Sequence, residues 1–342
     1  MRGLEEQQSA SGFAADHTEK EEEGADDGSL SNAHVISDED FDTDLELEDE
    51  EPRYDPSGRK CYLEVCERLG VVPASYFLHH ISDSELAMEH HGLGPKGTQA
   101  LAVPLVTNTS VLKLNLRDNW MEGMGGAAIA QMLKENCYIT EVDVSNNRMG
   151  DEGARAMASM LKENSTLAQL HLSNNSFTDH AAGVLSPALV TNSKLQHLDL
   201  SHNSLGEAAG IYLREGLSEN TGLRSLNLAW NCIRGKGAVM LANGLAGNLF
   251  LRQVDLSFNG FGKEGAVALG QALKENNVLE ELNISNNRIP PKGVIRLAMG
   301  LRANKTIKSL NVSCSMRLVL ASQAIGSISA KNKIKMYHRI LL

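Results

Sequence analysis

Apolar residues return along this chain with a fixed period of 28 residues. From residue 83 onward the pattern Leu-x-x-Leu-x-Leu-x-x-Asn-x-Leu recurs without an insertion, and seven copies match it in register. The alternation of apolar and polar positions in the pattern predicts a short strand. A constant period of this length is typical of a solenoid, in which each unit contacts only its neighbours. The polar anchor of the pattern is filled by Asn119, Asn147, Asn175, Asn203, Asn231, Asn259 and Asn287.

Two weaker copies of the pattern flank the seven full ones, at residues 83–93 and 307–317. In these copies His91 and Ser315 replace the anchor asparagine. Degenerate end units are typical of capping repeats, which have only one neighbour. We therefore predict nine 28-residue units over residues 83–334, with the first and the last degenerate.

The second half of each unit is predicted to be helical. Apolar residues ten and fourteen positions after the anchor, such as Leu241 and Leu245, share one helical face because they are four residues apart. A small residue six positions after the anchor, such as Gly237, lets the start of the helix lie close to the sheet. An asparagine seventeen positions after the anchor closes the helix in eight units, from Asn108 to Asn304. We expect these asparagines to adopt the left-handed conformation used at helix C-termini.

Each unit is therefore a strand, a turn and an antiparallel helix, and the parallel strands of successive units lie side by side. Strands are about 4.8 Å apart, whereas packed helices need roughly 8–10 Å. Because the helical side is longer, we predict an α/β horseshoe with the parallel sheet on its concave face and the helices on its convex face. The anchor asparagines are expected to be buried at the strand ends, where their amides can bond the backbone of neighbouring turns.

The segments flanking the array are predicted to cap it. Residues 55–82 contain DPSGRKCYLEVCERLG, for which Asp55 is the expected N-cap and Pro56 the first helical residue, followed by a second short helix in PASYFLHHI. Both helices are expected to cover the open edge of the first unit. After the array we predict a helix near 320–331 and a degenerate tenth strand or cap in 335–342. The apolar residues of the two N-terminal helices are Tyr62, Val65, Cys66, Leu69, Phe77, Leu78 and Ile81.

Acidity is concentrated at the N-terminus. Residues 1–60 hold 20 Asp and Glu but 5 Lys and Arg, whereas the remainder holds 23 acids and 27 bases. Residues 1–54 contain few large apolar groups, so we predict a disordered tail that is dispensable for folding. The tail is either a solubilising segment or a short acidic–hydrophobic motif that docks on a basic groove. Ser37 and Thr43 have an acid three residues on, which makes them candidate phosphorylation sites.

Composition excludes several classes of protein. The acidic balance disfavours nucleic acid and anionic membranes as partners. Five cysteines in no metal-like spacing favour a reducing compartment over a disulfide scaffold. The chain shows neither an apolar leader nor a run of about 18 apolar residues, so we expect a cytoplasmic protein.

Candidate binding residues lie where strand side chains are expected to face the concave surface. One column, four positions before the anchors, is rich in Asp and Asn, and another, two positions before, is rich in Ser. Both columns can be consensus residues of the repeat, and their interruptions are less generic. Trp230 and Phe258 occupy the same position in successive units, either as exposed anchors for a partner or packed on the turn. The candidates are Arg117, Asp143, His171, His197, Asp199, His202, Asn227, Trp230, Asp255 and Phe258.

The sequence gives weaker indications of a catalytic or metal site than of a binding surface. Adjacent histidines at 79–80 and 90–91 would point to opposite faces of a strand, and no Cys or acid completes a tetrahedral metal set. The sequence has neither a GxxxxGK[ST] phosphate loop nor a G-x-S-x-G nucleophile motif. We expect no enzyme activity, no cofactor and no metal.

The 28-residue units, with their Leu/Asn strands and long helices, resemble the ribonuclease-inhibitor type of leucine-rich repeat. Their uniform length and the absence of Cys at the anchor are similar to the branches of Ran GTPase-activating protein, tropomodulin and the NOD-like receptors. With its acidic tail and two short helices before the repeats, the whole chain resembles the leucine-rich repeat-containing protein 74 family. The resemblance covers residues 83–332 and implies the solenoid fold. The Ran branch implies one catalytic alternative, the stabilisation of a small GTPase in trans.

An extended surface without a catalytic constellation favours a non-enzymatic interaction scaffold. We expect a monomer that binds a protein partner on the concave face, with neither nucleic acid nor membrane as partner. The alternative is a regulator of a small GTPase.

Overall fold

The computed structural model describes residue 55, residues 57–313 and the backbone of residues 335–337. The described residues all belong to one compact unit of the chain. Three predictions lie outside the described residues: the disordered tail of residues 1–54, the phosphorylation sites Ser37 and Thr43, and the helix near 320–331.

Strands and helices alternate through the described part of the chain. The strands are β1 (Glu85–Ala87), β2 (Lys113–Asn115), β3 (Glu141–Asp143), β4 (Gln169–His171), β5 (His197–Asp199), β6 (Ser225–Asn227), β7 (Gln253–Asp255), β8 (Glu281–Asn283), β9 (Ser309–Asn311) and β10 (Lys335–Tyr337). The helices are α1 (Arg59–Leu69), α2 (Ser75–His80), α3 (Gly94–Leu105), α4 (Glu122–Glu135), α5 (Gly150–Glu163), α6 (Asp179–Thr191), α7 (Glu207–Glu219), α8 (Gly235–Gly247), α9 (Gly262–Glu275) and α10 (Pro291–Ala303).

The strands form one parallel sheet in chain order, from β1 to β10. Neighbouring strands pair in constant register, so that Leu86 lies opposite Leu114 and Leu114 lies opposite Val142. At the last pair Met336 lies opposite Leu310, a step shorter than 28 residues. This strand falls where the sequence predicts a degenerate strand or cap. The predicted α/β solenoid of strand–turn–helix units is confirmed.

The interior is filled from both sides of each unit. The central residue of every strand from β1 to β9 is buried, whereas its two neighbours remain partly exposed. Helical residues such as Leu241 and Leu245 are buried against them, as their spacing predicts. The sheet therefore presents one continuous face to water, and the helices present the other.

The anchor asparagines join consecutive turns. Asn203 is 7% exposed, and its side-chain Nδ2 donates to the carbonyl of Leu172 in the preceding unit at 3.1 Å. Its Oδ1 accepts the backbone N–H of Asn175 and of Phe177, also in the preceding unit. A leucine could fill the space but would leave these backbone groups without partners in the interior. All seven anchors are buried.

A second asparagine row lies at the helix ends, and its conformation differs from the prediction. Asn136 ends α4 with φ −73° and ψ 125°, which is extended rather than left-handed backbone. Its Nδ2 donates to the Leu105 carbonyl of the preceding unit at 2.8 Å, while its Oδ1 accepts the N–H groups of Tyr138 and Ile139. The asparagine is thus selected for its amide, which bonds both the preceding unit and the following loop, and not for its tolerance of positive φ.

The two N-terminal helices cover the first unit. Tyr62, Phe77 and Ile81 are buried in the same apolar core as the repeats. The predicted helix start is wrong, because α1 begins at Arg59 and not at Pro56. Gly58, with φ 73°, precedes it, and a left-handed residue there allows a turn between Asp55 and the helix. Asp55 still acts on the helix start, since its carboxylate accepts the Lys60 N–H at 2.8 Å.

Glycines allow neighbouring helices to approach closely. A Cβ atom added at Gly300 of α10 would collide with the carbonyl oxygen of Gly270 in α9. The same is true of Gly237 in α8 against the carbonyl oxygen of Glu207 in α7. Gly237 holds the position six residues after its anchor, so this small residue serves contact between helices, whereas the sequence predicts contact with the sheet.

Candidate interaction surface

The residue immediately before each anchor has left-handed backbone in eight consecutive units. Its φ lies between 51° and 61°, and its N–H donates to the next unit, as in Trp230 to the Ser257 carbonyl at 2.9 Å. This conformation disfavours side chains with a bulky Cβ, and Asn, Asp and His tolerate it best. Six of the eight residues are of these types, and Trp230 and Phe258 are the exceptions. We call the set the exit column: His90, Asp118, Asn146, Asn174, His202, Trp230, Phe258 and Asn286.

Three rings of the exit column form an aromatic stack. The His202 and Trp230 rings are 5.2 Å apart between centroids and 13° from parallel. The Trp230 and Phe258 rings are 3.7 Å apart and 10° from parallel. Trp230 keeps 48% of its surface in water and Phe258 keeps 37%. The rings therefore lie against one another across three units, and part of each remains open to contact.

The Asp and Asn column has a local structural role. Asp199 and Asp255 each accept the backbone N–H of the residue two positions on, at 2.8 Å. Asn227 does the same with Ala229 at 3.0 Å. A short acceptor at this position satisfies a backbone group that the sheet does not pair. This bond explains why the column recurs, and it supports the interpretation of these residues as repeat consensus.

The alternation predicts that the serine column faces water, but most of its serines are buried. Ser145, Ser201, Ser257 and Ser285 are 4–5% exposed. The backbone N–H of each donates to the Asp or Asn side chain two positions before it. Arg117 occupies the same column in its own unit, and it is exposed. It is the one predicted binding residue that comes from this column.

The structure brings most of the predicted binding residues together. Asp143, His171, Asp199, Asn227 and Asp255 end five neighbouring strands, in register from β3 to β7. His197 opens β5, and the aromatic stack follows the ends of β5, β6 and β7. Arg117 lies apart from this group, after β2.

Acidic residues outnumber basic ones on the strands from β1 to β9. On β2 and β3, Lys113 approaches Glu141 to 3.3 Å, so opposite charges are paired. On β5 to β8 the outward-facing strand residues include Asp199, Asp255 and Glu281 and, within these strands, no Lys or Arg. The sheet beside the aromatic stack is therefore acidic.

Trp120 is among the exposed aromatic residues that the sequence analysis missed. Trp120 follows an anchor, is 58% exposed, and lies under the guanidinium of Arg148 at 5.0 Å. Trp120 and Arg148 occupy the same position of successive units. The sequence could have indicated this contact between units, because it places an arginine 28 residues after the tryptophan.

The paired histidines make contacts with carboxylates and backbone. Nδ1 of His80 lies 2.7 Å from Asp83, and Nδ1 of His90 lies 2.7 Å from Asp118. Among the described residues no three His, Cys, Asp or Glu side chains are placed to hold a metal ion. Within the same part of the chain, no helix has the length and apolarity needed to cross a bilayer.

Comparison with known proteins identifies the repeat. The leucine-rich repeat family matches residues 107–130, 135–158, 191–213, 219–242, 247–270 and 275–298. Human leucine-rich repeat-containing protein 74B is 44% identical over 71 residues, which cover 21% of this chain and 18% of that protein. The matched segment is thus a small part of that relative, and the whole protein's activity does not carry over.

Similar chains occur among solved structures, at low sequence identity. A chain of the yeast Rad7–Elc1 complex has a TM-score of 0.45 and 14% identity, covering 75% of this chain and 68% of that one. An internalin, InlF of Listeria monocytogenes, has a TM-score of 0.43 and 13% identity, covering 83% and 77%.

A parallel sheet backed by helices, with buried asparagine rows at both ends of the unit, defines the class as an interaction scaffold of stacked repeats. The chain belongs to the leucine-rich repeat proteins. The ribonuclease-inhibitor type of the repeat stays a prediction.

Proposed function

We propose that this protein is a non-enzymatic scaffold that binds a protein partner on the exposed face of its sheet, at and beside the aromatic stack. The observation that carries the proposal is the stack itself. Trp230 and Phe258 are large, half-exposed rings held in left-handed backbone. That conformation costs about 1–2 kcal/mol per residue relative to right-handed backbone. An aromatic residue retained there in water is better explained by binding than by folding.

The surroundings of the stack are suited to a protein surface. Two rings in contact present a rigid apolar area, which loses little conformational freedom on binding. The adjacent strand ends supply Asp199, Asn227 and Asp255 as a polar rim. Interfaces of this build, an aromatic centre within a polar rim, place most of their binding energy in the centre.

Affinity capture from cell extract tests the proposal with two matched double variants. Asp199→Arg with Trp230→Ala alters the sheet face, whereas Glu135→Arg with Tyr138→Ala makes the same kinds of change on exposed residues at the other end of a unit. We expect the first variant to lose partners that the second retains. Identical partner sets for wild type and the sheet-face variant, with both folded, would contradict binding at the sheet face.

Stability measurement separates binding from packing at the stack. If the rings serve binding, Trp230→Gly relieves left-handed strain and leaves the free energy of unfolding unchanged or higher. A loss of more than about 1 kcal/mol would assign the stack to folding. Urea unfolding followed by circular dichroism measures the difference.

The alternative function, regulation of a small GTPase, rests on family resemblance. Arg117 is exposed just after β2 and could approach a bound nucleotide, as an arginine supplied in trans does in GTPase activation. GTP turnover by a panel of small GTPases, with wild type and Arg117→Ala, decides between the functions. We expect no acceleration; a rate increase that Arg117→Ala abolishes would favour the alternative.

A further inference from the structure

The helical side carries an apolar stripe on four consecutive units of the described chain. It occupies the position eight residues after the anchor, on α7, α8, α9 and α10. Ile211 is 38% exposed, Val267 39% and Ile295 51%, and Val239 between them is half-buried. We call these four residues the helix stripe. At the same position the earlier units carry Gln99, Ala127, Arg155 and Gly183.

Further apolar side chains widen the stripe. Tyr212 is 50% exposed and Met299 48%, and Met240 is half-buried. Val239, Val267 and Met299 line one groove, while Ile211, Tyr212 and Met240 line the next. Apolar surface that is continuous over several elements is uncommon on a protein without a partner and marks interaction sites.

The dimensions of the stripe fit a helix. Four neighbouring helices at roughly 8–10 Å spacing place its ends about 24–30 Å apart. A helix of about 16–20 residues has this length. An amphipathic helix laid across the grooves would present apolar residues three and four positions apart to the helix stripe.

The edges of the two grooves are mainly basic. Lys263, Lys274 and Arg296 line the groove beside Val267, against one acid, Glu264. Arg214 and Lys236 line the neighbouring groove, against Glu215. The charge complementary to these edges is negative, which selects among amphipathic helices.

We propose that the helix stripe binds an acidic amphipathic helix of a partner protein. Its apolar face covers Ile211, Val239, Val267 and Ile295, and its Asp and Glu residues lie beside the basic edges. This site is on the helical side of the units and is separate from the sheet-face site proposed above.

A display library of helical peptides of about 18 residues, varied at apolar and charged positions, tests the proposal. Peptides are selected on the full chain and counter-selected on Val267→Glu with Ile295→Glu. We expect enrichment of helically spaced apolar residues flanked by Asp and Glu. Affinity of the selected peptides should fall at least about tenfold in that variant. The control is Gln99→Glu with Arg155→Glu, which introduces glutamates at the same repeat position but in earlier units. This control should bind the selected peptides as tightly as the wild type.

Two further variants complete the test. Lys263→Glu with Arg296→Glu leaves the stripe intact and should weaken acidic peptides while improving basic ones. Asp199→Arg with Trp230→Ala should bind the peptides normally, which separates this site from the proposed function. Failure to enrich stripe-dependent peptides, or enrichment of basic or uncharged flanks, would overturn the proposal. Self-association in sedimentation, broken by Val267→Glu with Ile295→Glu, would instead assign the stripe to a second copy.

Discussion

At the scale of single residues, this fold depends on polar side chains that bond backbone. Every buried side-chain nitrogen and oxygen of the described residues has a hydrogen-bond partner. The buried asparagines form many of these hydrogen bonds, since one side-chain amide can both donate and accept. Their replacement by an apolar residue of similar size therefore removes no packing volume but leaves several backbone groups unpaired.

Asn276 and Asn277 provide a matched test of this role. Asn276 is 5% exposed and bonds the carbonyls of Leu245 and Asn248 and the N–H groups of Val278 and Leu279. Its neighbour Asn277 is exposed. We expect Asn276→Leu to lower the free energy of unfolding by roughly 1–3 kcal/mol for each buried group left unpaired. Asn277→Leu should stay within about 0.5 kcal/mol of wild type in urea unfolding; equal losses would contradict the assigned role.

Asp55 gives stability a defined pH dependence. Hydrogen bonds, first from the Ser57 hydroxyl and then from the backbone of Lys60, lower the pKa of Asp55 from 3.8 to about 2. A depressed carboxyl pKa stabilises the fold above its unfolded value, and this contribution is lost as pH falls from 3.8 towards 2. Asp55→Ala should therefore melt below wild type at pH 7, and the two melting temperatures should converge near pH 2. A difference that persists unchanged in acid would show that the carboxylate charge is not responsible.

At the scale of elements, the helices are held at a spacing that only glycine permits at some points. Gly is usually a poor helix residue, by about 1 kcal/mol relative to Ala. Gly300 and Gly270 nevertheless lie inside α10 and α9, because their backbones meet there. Close contact between helices thus overrides intrinsic propensity.

Two glycine-to-alanine substitutions should have opposite effects. At Gly300 the added methyl group would strike the Gly270 carbonyl, so we expect a loss of roughly 1–3 kcal/mol from overpacking. At Gly183, within α6, the nearest atom to an added Cβ is 3.6 Å away on the Tyr212 ring, an ordinary contact. Gly183→Ala should therefore leave stability unchanged or raise it by up to about 1 kcal/mol. Chemical unfolding measures both, and a stabilised Gly300→Ala would refute close helix contact.

At the scale of the whole molecule, a single apolar core runs from Tyr62 to Val312. Each unit adds one strand and one helix to it, and the N-terminal helices close its first edge. Because neighbouring units supply most of the contacts, stability is expected to depend on both intact interfaces and a covered end.

Two truncations distinguish the cap from the acidic segment before it. A chain beginning at Pro52 keeps all the core residues and should melt like the full chain at high salt. A chain beginning at Asp83 loses Tyr62, Phe77 and Ile81 and should melt at lower temperature. A fall of more than about 5 °C for the Pro52 chain would mean that the removed residues contribute a kcal/mol or more to folding.

The sequence by itself determined the unit: its length, its strand and helix, and the buried identity of its leucines and anchor asparagines. A fixed period and a side-chain alternation set these features, because they follow from which positions of the repeat are apolar and which are asparagine. Trp230 and Phe258 could be recognised as unusual in the same way, since they interrupt a column.

Only the tertiary structure decided what happens between units. The helix-closing asparagines are extended because their amides reach the preceding unit, a contact that a local preference for left-handed backbone does not contain. The rings of His202, Trp230 and Phe258 meet because the sheet holds their turns at strand spacing. In each case the outcome depends on distances between residues 28 or more positions apart, and packing of strands and helices fixes those distances.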